Sequence, residues 1–175
     1  IVEAGTGQAR ARRATQALID GHDPSWILSV GFAGAMQPGL KVGQILVPNR
    51  LVSPGQEDIH VDVSFPSQPD RGWHVGSLLT VDRIVRTIVE KQSLAAETNC
   101  QGVDMESYAV AAVCKAQRKR FFGVRVFSDD LSADLPAEVL SLMGPTGAVR
   151  YGAVLGALWK RPGSAQDMWN MREQA

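Results

Sequence analysis

Short apolar runs alternate along the chain with stretches of helical periodicity. The chain opens at Ile1 with an apolar run that reaches the turn Gly5-Thr6-Gly7, and this run predicts a first strand. An Ala- and Arg-rich stretch over residues 8–20 predicts the first helix, because Gly21 and Pro24 then stop it. The order strand, turn, helix begins a pattern that continues along the chain.

The next apolar runs predict strands with buried faces. One covers residues 26–30 and ends at the small-residue stretch Gly31-Phe32-Ala33-Gly34, and another covers residues 44–52. Residues 59–65 alternate apolar and polar side chains with a period of two, so they predict a half-exposed strand. Further strands are predicted at residues 77–81, 101–103 and 121–127.

Helices are predicted between and after these later strands. Asp82 can cap a helix with one apolar face. That face carries Ile84, Val85, Ile88 and Val89. Asp104 precedes a second helix over residues 105–117, and residues 147–160 predict a last helix that ends before Pro162.

Alternating strands and helices, with nearly continuous apolar strands, predict an α/β protein whose helices pack on a mostly buried sheet. The 175 residues suit one domain, over residues 1–175. Ligands of such sheets usually bind beyond the carboxyl ends of the strands. We therefore expect the chemistry after Val30, Val103 and Phe127.

Charge and composition exclude several classes of protein. The 18 basic and 18 acidic residues cancel, which argues against a nucleic-acid binder. Cys100 and Cys114 form no C-x-x-C pair and the three histidines are scattered, so we expect no metal site. No apolar run approaches the ~18 residues of a membrane span, and no secretory signal opens the chain. These features predict a cytoplasmic protein without a membrane span.

Three stretches at predicted strand ends carry residues suited to chemistry. Gly31-Phe32-Ala33-Gly34-Ala35 lets a ligand approach the backbone, although a tight connection has the same pattern. Asp104-Met105-Glu106 offers carboxylates that accept hydrogen bonds from two sugar hydroxyls, with helix capping as the alternative. Ser128-Asp129-Asp130 offers a partly desolvated carboxyl group that can donate a proton, with a turn acid as the alternative.

Together these stretches resemble the nucleoside phosphorylase and nucleosidase superfamily, whose members include methylthioadenosine/adenosylhomocysteine nucleosidases. Residues 31–47 resemble its Gly-rich turn, its Leu-Lys-x-Gly-Asp connection and the strand after it, and residues 103–107 resemble its Met-Glu sugar motif. Residues 124–129 resemble its Arg-x-x-Ser-Asp base motif, and Gly5-Thr6-Gly7 its Gly-x-Gly segment. The resemblance implies a three-layer fold with a mixed central sheet and helices on both sides. Residues 128–136 and 147–163 look most like the hopanoid-associated adenosylhopane nucleosidase branch.

The resemblance also implies a division of roles in the cleavage of a purine nucleoside. Asp129 would donate to N7 of the leaving purine, and Ser128 would orient that acid. Glu106 would bind the ribose 2′ and 3′ hydroxyls, with Met105 packed against the sugar.

Further contacts follow from the same resemblance. The backbone of Phe32, Ala33 and Gly34 would face the nucleophile and the base. Ile84 and Val85 fall where the family lines the purine, and the core face of a helix is the alternative for both. The family implies a homo-oligomer, a small-molecule nucleoside substrate and no cofactor, with phosphate as co-substrate in a phosphorylase.

Some family features have no match in the sequence. The family's hydrolases activate water with an acidic residue in a first strand that would lie before Ile1, and its phosphorylases often place a Gly-Arg phosphate site there. Phe32 stands where many nucleosidases have Ser, and Asp104 replaces a frequent Glu. Hydrolysis and phosphorolysis both remain open. A catalytically silent nucleoside-binding relative and an unrelated α/β binding module are further alternatives.

Overall fold

Three α-helices and six strands make up the described part of the computed structural model, residues 1–137, and all of them lie in the unit Ile1–Pro136. The helices are α1 (Gln8–His22), α2 (Ile88–Thr98) and α3 (Ser107–Ala116). The strands are β1 (Trp26–Ala35), β2 (Ile45–Val52), β3 (Ile59–His60), β4 (Trp73–Thr80), β5 (Gly102–Asp104) and β6 (Arg120–Asp129). A 3₁₀ turn at Pro69–Arg71 precedes β4.

The strands form one mixed sheet in the order β3-β2-β4-β5-β1-β6. The pairs β1–β6, β2–β4 and β4–β5 are parallel, whereas β1–β5, β2–β3 and β2–β6 are antiparallel. The pairing of β2 with β6 closes five strands into a ring. The predicted α/β class with a mixed central sheet is confirmed.

Helices cover both faces of β4. Leu78 and Leu79 are both fully buried, and consecutive strand residues point to opposite faces. Leu78 belongs to the apolar cluster that contains residues of α1 and α3. Leu79 belongs to a second cluster, against which Leu94 and Ala95 of α2 pack.

The predicted turn at residues 31–34 is wrong, because β1 continues through these residues to Ala35. Pairing with β6 sets the length of β1. The paired region runs from Trp26, which lies opposite Arg120, to Gly34, which lies opposite Asp129. Only one face of β1 is buried. On the other face Leu28 and Val30 are 62% and 67% exposed, so the expectation of buried faces holds for one face of β1 only.

Helix α2 begins later than predicted. Thr87, not Asp82, caps it, because the Thr87 hydroxyl accepts a hydrogen bond from the backbone N–H of Glu90 at 3.2 Å. Ile84 and Val85 therefore lie before the helix, and the helix-face interpretation of these two residues is wrong.

Three other predicted elements differ. The strand at residues 59–65 shortens to Ile59–His60, which pairs with β2, and no strand forms at residues 1–4. The predicted helix at residues 147–160 lies outside the described residues. The single domain over residues 1–175 stays a prediction.

A buried ion pair joins β6 to β5 across β1. The Arg125 guanidinium donates from Nε to Asp104 Oδ2 at 2.9 Å, and both side chains are nearly inaccessible to water. Arg125 also donates to the carbonyl and hydroxyl oxygens of Ser29 on β1, each at 2.9 Å. The guanidinium passes close to Gly31, where a Cβ would lie in van der Waals contact, 3.5 Å from Arg125 Cζ. The Thr80 hydroxyl completes the site by donating to Asp104 at 2.7 Å.

Removing one partner of this pair is expected to destabilise the fold strongly. Arg125→Met leaves the Asp104 carboxylate buried without a cation, so the free energy of unfolding should fall by about 3–5 kcal/mol in urea denaturation. The control is Lys119→Met, which breaks an ion pair whose Asp23 side chain is 87% exposed and should cost less than about 1 kcal/mol. Equal losses in the two variants would contradict a structural role for the Arg125–Asp104 pair.

Candidate active site

Gly34 of β1 is the point at which the predicted site residues meet. It lies opposite Asp129 of β6 on one side and opposite Val103 of β5 on the other. Neighbouring strands lie about 4.8 Å apart, so the backbones at Asp129 and Val103 are about 10 Å apart. Asp104, Met105 and Glu106 follow directly after Val103. The three stretches selected from the sequence therefore surround one point of the sheet.

The strands reach this point in opposite directions. β6 ends there at its carboxyl end, but β5 is antiparallel to β1, so the expected common carboxyl edge of parallel strands is wrong for β5. The β1–β6 register shifts between Ala33 and Gly34, which leaves Ser128 as the additional residue of a bulge. A bulge changes the direction of the side chains that follow it, and here Asp129 comes to face Gly34.

The Asp129 carboxylate is held on both oxygens. The Ser128 hydroxyl donates to Oδ1 at 2.7 Å and also lies 3.3 Å from the carbonyl oxygen of Ala33. The absence of a side chain at Gly34 is essential, because a Cβ there would lie 2.9 Å from Oδ2. Sequence analysis predicted the Ser128–Asp129 pairing, and the structure brings these two residues together.

Lys91 was missed by the sequence analysis. It lies on α2 with its side chain fully buried, and its ammonium group contacts Oδ2 of Asp129. A second contact, at 3.3 Å, goes to the backbone carbonyl of Asp130. A signal existed in the sequence, because Lys91 lies one helical turn from Leu94 and Ala95, on the side of α2 that packs into the core.

Asp130, the next acidic residue, has a separate environment. Burial raises the pKa of its carboxyl, but hydrogen bonds from Ser132 and the backbone of Val42, with the charge of Lys41, outweigh burial and lower the pKa overall. Its carboxylate accepts the backbone N–H of Ser132 at 2.8 Å. The Asp130 carboxylate is therefore ionised and occupied by Ser132 and the backbone of Val42.

Glu106 is the second carboxylate of the site and is half-buried at the N-cap position of α3. Its Oε1 accepts the backbone N–H of Gly7 at 2.7 Å. Burial is the main cause that raises the pKa of Glu106, and repulsion by Asp104 adds to it. Hydrogen bonds from Gly7 and Met105 and the charge of Arg125 oppose the rise without cancelling it.

Gly7 brings the N-terminal turn to the site. Its φ of +97°, which L side chains rarely adopt, explains why the Gly-x-Gly turn needs glycine at this position. Sequence analysis identified the turn as a motif but did not predict its contact with Glu106.

The remaining predicted residues divide into two groups. Met105 is half-buried beside Glu106, and Phe32 is 54% exposed on β1, whereas Ala33 is buried with its carbonyl oxygen towards Ser128. Val85 is only 5% exposed and belongs to the apolar cluster of Leu79, against which α2 packs. Ile84 is half-buried and lies before α2. Contacts of Ile84 or Val85 with a purine stay a prediction.

Within residues 1–137, no group of three or more His, Cys, Asp or Glu side chains could hold a metal ion. No helix in the same range is long and apolar enough to cross a membrane.

The arrangement separates two kinds of carboxylate chemistry. Asp129 contacts a cation and a hydroxyl donor, so protons can move at its oxygens. Glu106 accepts from the backbone and keeps free lone pairs, which suits it to accept hydrogen bonds from two adjacent hydroxyl groups.

The comparisons with known proteins identify the family of the chain. The family model described as "Phosphorylase superfamily" matches residues 1–73 and 67–147. The 5′-methylthioadenosine/S-adenosylhomocysteine nucleosidase of Staphylococcus aureus strain MRSA252 is 27% identical over 153 residues, which cover 74% of this chain and 67% of the relative.

Solved structures share the fold. The 5′-methylthioadenosine/S-adenosylhomocysteine nucleosidase of S. pneumoniae with a transition-state inhibitor superposes with a TM-score of 0.68 at 20% identity, covering 88% of this chain and 77% of that one. The futalosine hydrolase of Helicobacter pylori strain 26695 gives a TM-score of 0.63 at 21% identity, covering 74% of this chain and 66% of that one.

The chain spans about two thirds of the length of several of these relatives. The family model covers most of the chain, and its matched ranges include the stretches that meet around Gly34. The chain therefore belongs to the phosphorylase superfamily, a family of enzymes in which its relatives are nucleosidases.

Proposed function

We propose that the protein hydrolyses the N-glycosidic bond of a nucleoside with an adenine-type base and releases the free base. The observation that carries this proposal is the placement of two carboxylates with different partners on either side of Gly34. The breaking bond leaves negative charge on the base and positive charge on the sugar. A proton donor is needed on one side and a hydroxyl-binding carboxylate on the other.

The assignment of roles follows from the partners of each group. Asp129, oriented by Ser128, is the acid that protonates the departing base. Glu106 binds the ribose hydroxyls, with Met105 beside the sugar. The backbone of Phe32, Ala33 and Gly34 lines the space between the two. No cofactor enters this scheme.

Hydrolysis is favoured over phosphorolysis by the relatives, whose names describe them as nucleosidases and a hydrolase. The decisive assay incubates the protein with adenosine, 5′-methylthioadenosine and S-adenosylhomocysteine, with and without phosphate, and measures free base. Release without phosphate supports hydrolysis, and release that needs phosphate identifies a phosphorylase. Nucleoside binding without base release would instead favour the catalytically silent relative.

The finer assignments are also proposals. Residues 128–136 of the sequence favour the adenosylhopane nucleosidase branch, so a bulky apolar 5′ substituent on the nucleoside is worth including in the same assay. Assembly as a homo-oligomer and a cytoplasmic location stay predictions.

Asp129→Asn tests the acid. An amide can neither carry nor pass on the proton that the leaving base requires, so kcat should fall by about 10²- to 10⁴-fold. The matched control is Asp130→Asn, which makes the same change at a carboxylate whose partner is its own loop, and its kcat should stay within a few-fold of wild type. Equal effects of the two substitutions on kcat would contradict the proposed role of Asp129 as the acid.

Glu106→Gln tests the sugar site through opposite effects on activity and stability. The loss of a charged acceptor should lower kcat/KM by about 10- to 100-fold, mainly through KM. In the wild type, KM should rise as the pH falls through the raised pKa of Glu106, because the protonated carboxyl accepts fewer hydrogen bonds.

The direction of the change in stability of Glu106→Gln also follows from the raised pKa of Glu106. A raised pKa in the folded state means that the Glu106 carboxyl contributes stability below its unfolded pKa and loses it as the pH rises through the folded pKa. The glutamine amide that replaces it stays neutral, so the variant should unfold at a higher temperature than wild type at neutral pH. A lower unfolding temperature at neutral pH, with unchanged KM, would contradict both expectations.

Gly34→Ala tests the space in front of Asp129. The new Cβ would lie 2.9 Å from Oδ2, so the carboxylate must move. Displacement of a catalytic group by about 1 Å costs about 10²-fold in rate. Gly21→Ala is the control, because a Cβ there meets nothing within 4 Å. Wild-type turnover by Gly34→Ala would show that the position of Asp129 is not critical.

A further inference from the structure

The strongest unassigned feature is the buried ammonium group of Lys91. Its side chain is 0% exposed, although lysine is among the residues least often buried. Lys91 lies one helical turn from Leu94 and Ala95, which pack against an apolar cluster, so an apolar side chain would suit this side of α2. A charge at this position is stable only if it is paired.

Lys91 has two partners, and both lie at the end of β6. The ammonium contacts Oδ2 of Asp129 and lies 3.3 Å from the carbonyl oxygen of Asp130. Within residues 1–137, it forms no ion pair with any other acidic side chain. The nearby Asp130 carboxylate binds its own loop, and the charge of Lys41 acts on that carboxylate. The other oxygen of Asp129 accepts the hydroxyl of Ser128.

This contact changes what Asp129 can do alone. As the partner of an ammonium group in an ion pair, Asp129 is a carboxylate that accepts hydrogen bonds and has no proton to donate. If Asp129 is to protonate a leaving base, the proton must reach it from a neighbour. Lys91 is a protonated group already in contact with it.

We propose that Lys91 is a positioning residue that supplies, through Asp129, the proton taken up by the departing base. This inference rests on the proposed function. As the C1′–N bond breaks and its electron pair goes to the base, an Nζ–H bond of Lys91 breaks and an O–H bond forms on Asp129. That O–H bond then breaks as an N–H bond forms on the base. The products are a neutral base, an Asp129 carboxylate and a neutral Lys91 amine.

The attacking water supplies the proton that restores Lys91. Water that attacks C1′ releases one proton as it becomes the new hydroxyl group, and one proton returns Lys91 to the ammonium form.

Hydrogen bonds hold the start of α2 beside the segment that follows β6. Arg86, just before α2, donates two hydrogen bonds to the carbonyl oxygen of Leu135, at 3.2 and 3.0 Å. The first backbone N–H of α2, at Ile88, donates to the Asp134 carboxylate at 2.8 Å. These hydrogen bonds tie the start of α2, three to five residues before Lys91, to the segment five to six residues after Asp129.

The test compares Lys91→Met with Lys91→Arg in the full protein, with kcat and KM measured across pH. Met matches the length of the buried side chain without charge or proton. Arg keeps the charge but does not release its proton. Lys115→Met, at an exposed position on α3, is the control and should behave as wild type.

Proton supply by Lys91 through Asp129 predicts a distinct pattern of kcat across pH. At neutral pH, Lys91→Met should lose about 10²- to 10⁴-fold in kcat with KM within a few-fold of wild type. Its activity should recover as the pH falls, because solvent then supplies the proton that Lys91 no longer provides. Lys91→Arg should stay impaired at every pH. This combination would support proton supply by Lys91.

Other outcomes overturn the inference. Restoration of kcat by Lys91→Arg means that charge alone is needed. A pH profile of Lys91→Met parallel to that of wild type means that the role is structural, and this profile decides the matter even if the Arg variant does not fold. If the wild type releases base and Lys91→Met does so equally well, only the inference fails. If the wild type releases no base from any nucleoside, the proposed function fails and the inference fails with it.

Discussion

The buried ion pair between Arg125 and Asp104 is the constraint on which the site depends. It fixes β6 to β5 across β1, and the guanidinium crosses β1 beside Gly31. Asp104 also accepts the backbone N–H of Ser107 at 3.1 Å, so the same carboxylate sets where α3 begins. Glu106 stands immediately before that helix, and Asp129 stands four residues after Arg125. One interaction therefore sets the positions of both acidic groups of the site.

The two acidic groups differ because of what the rest of the fold brings to them. Helix α2 brings a buried cation to Asp129, while the turn before α1 brings a backbone N–H to Glu106. In the proposed scheme, the carboxylate next to the cation relays a proton to the leaving base. The other carboxylate loses hydration, its backbone contacts do not offset that loss, and its pKa rises. Different neighbours thus give similar side chains different chemistry, which is what cleavage of a glycosidic bond requires.

The sequence predicted the α/β class, helix α1 within two residues at its end, and the motifs that meet at Gly34, because these depend on local periodicity and on short motifs. It could not predict that β1 runs through the Gly-rich stretch, since that follows from pairing with β6. The bulge at Ser128 and the antiparallel direction of β5 are likewise set by distant strands. The sequence could not identify Thr87 as the cap of α2, because Asp82 is also a residue type that caps helices. The hydrogen bond from Glu90 to Thr87 distinguishes the two. Lys91 was missed because its partner lies 38 residues away in the sequence.

The most direct test of the account is a crystal structure of the protein with a non-hydrolysable adenosine analogue. We expect the base to lie within hydrogen-bonding distance of Asp129, and both ribose hydroxyls to contact the Glu106 carboxylate. Lys91 should remain in contact with Asp129 on the side away from the ligand. A ligand bound away from Gly34, or one whose sugar faces Asp129 and whose base faces Glu106, would contradict the division of roles between the two carboxylates.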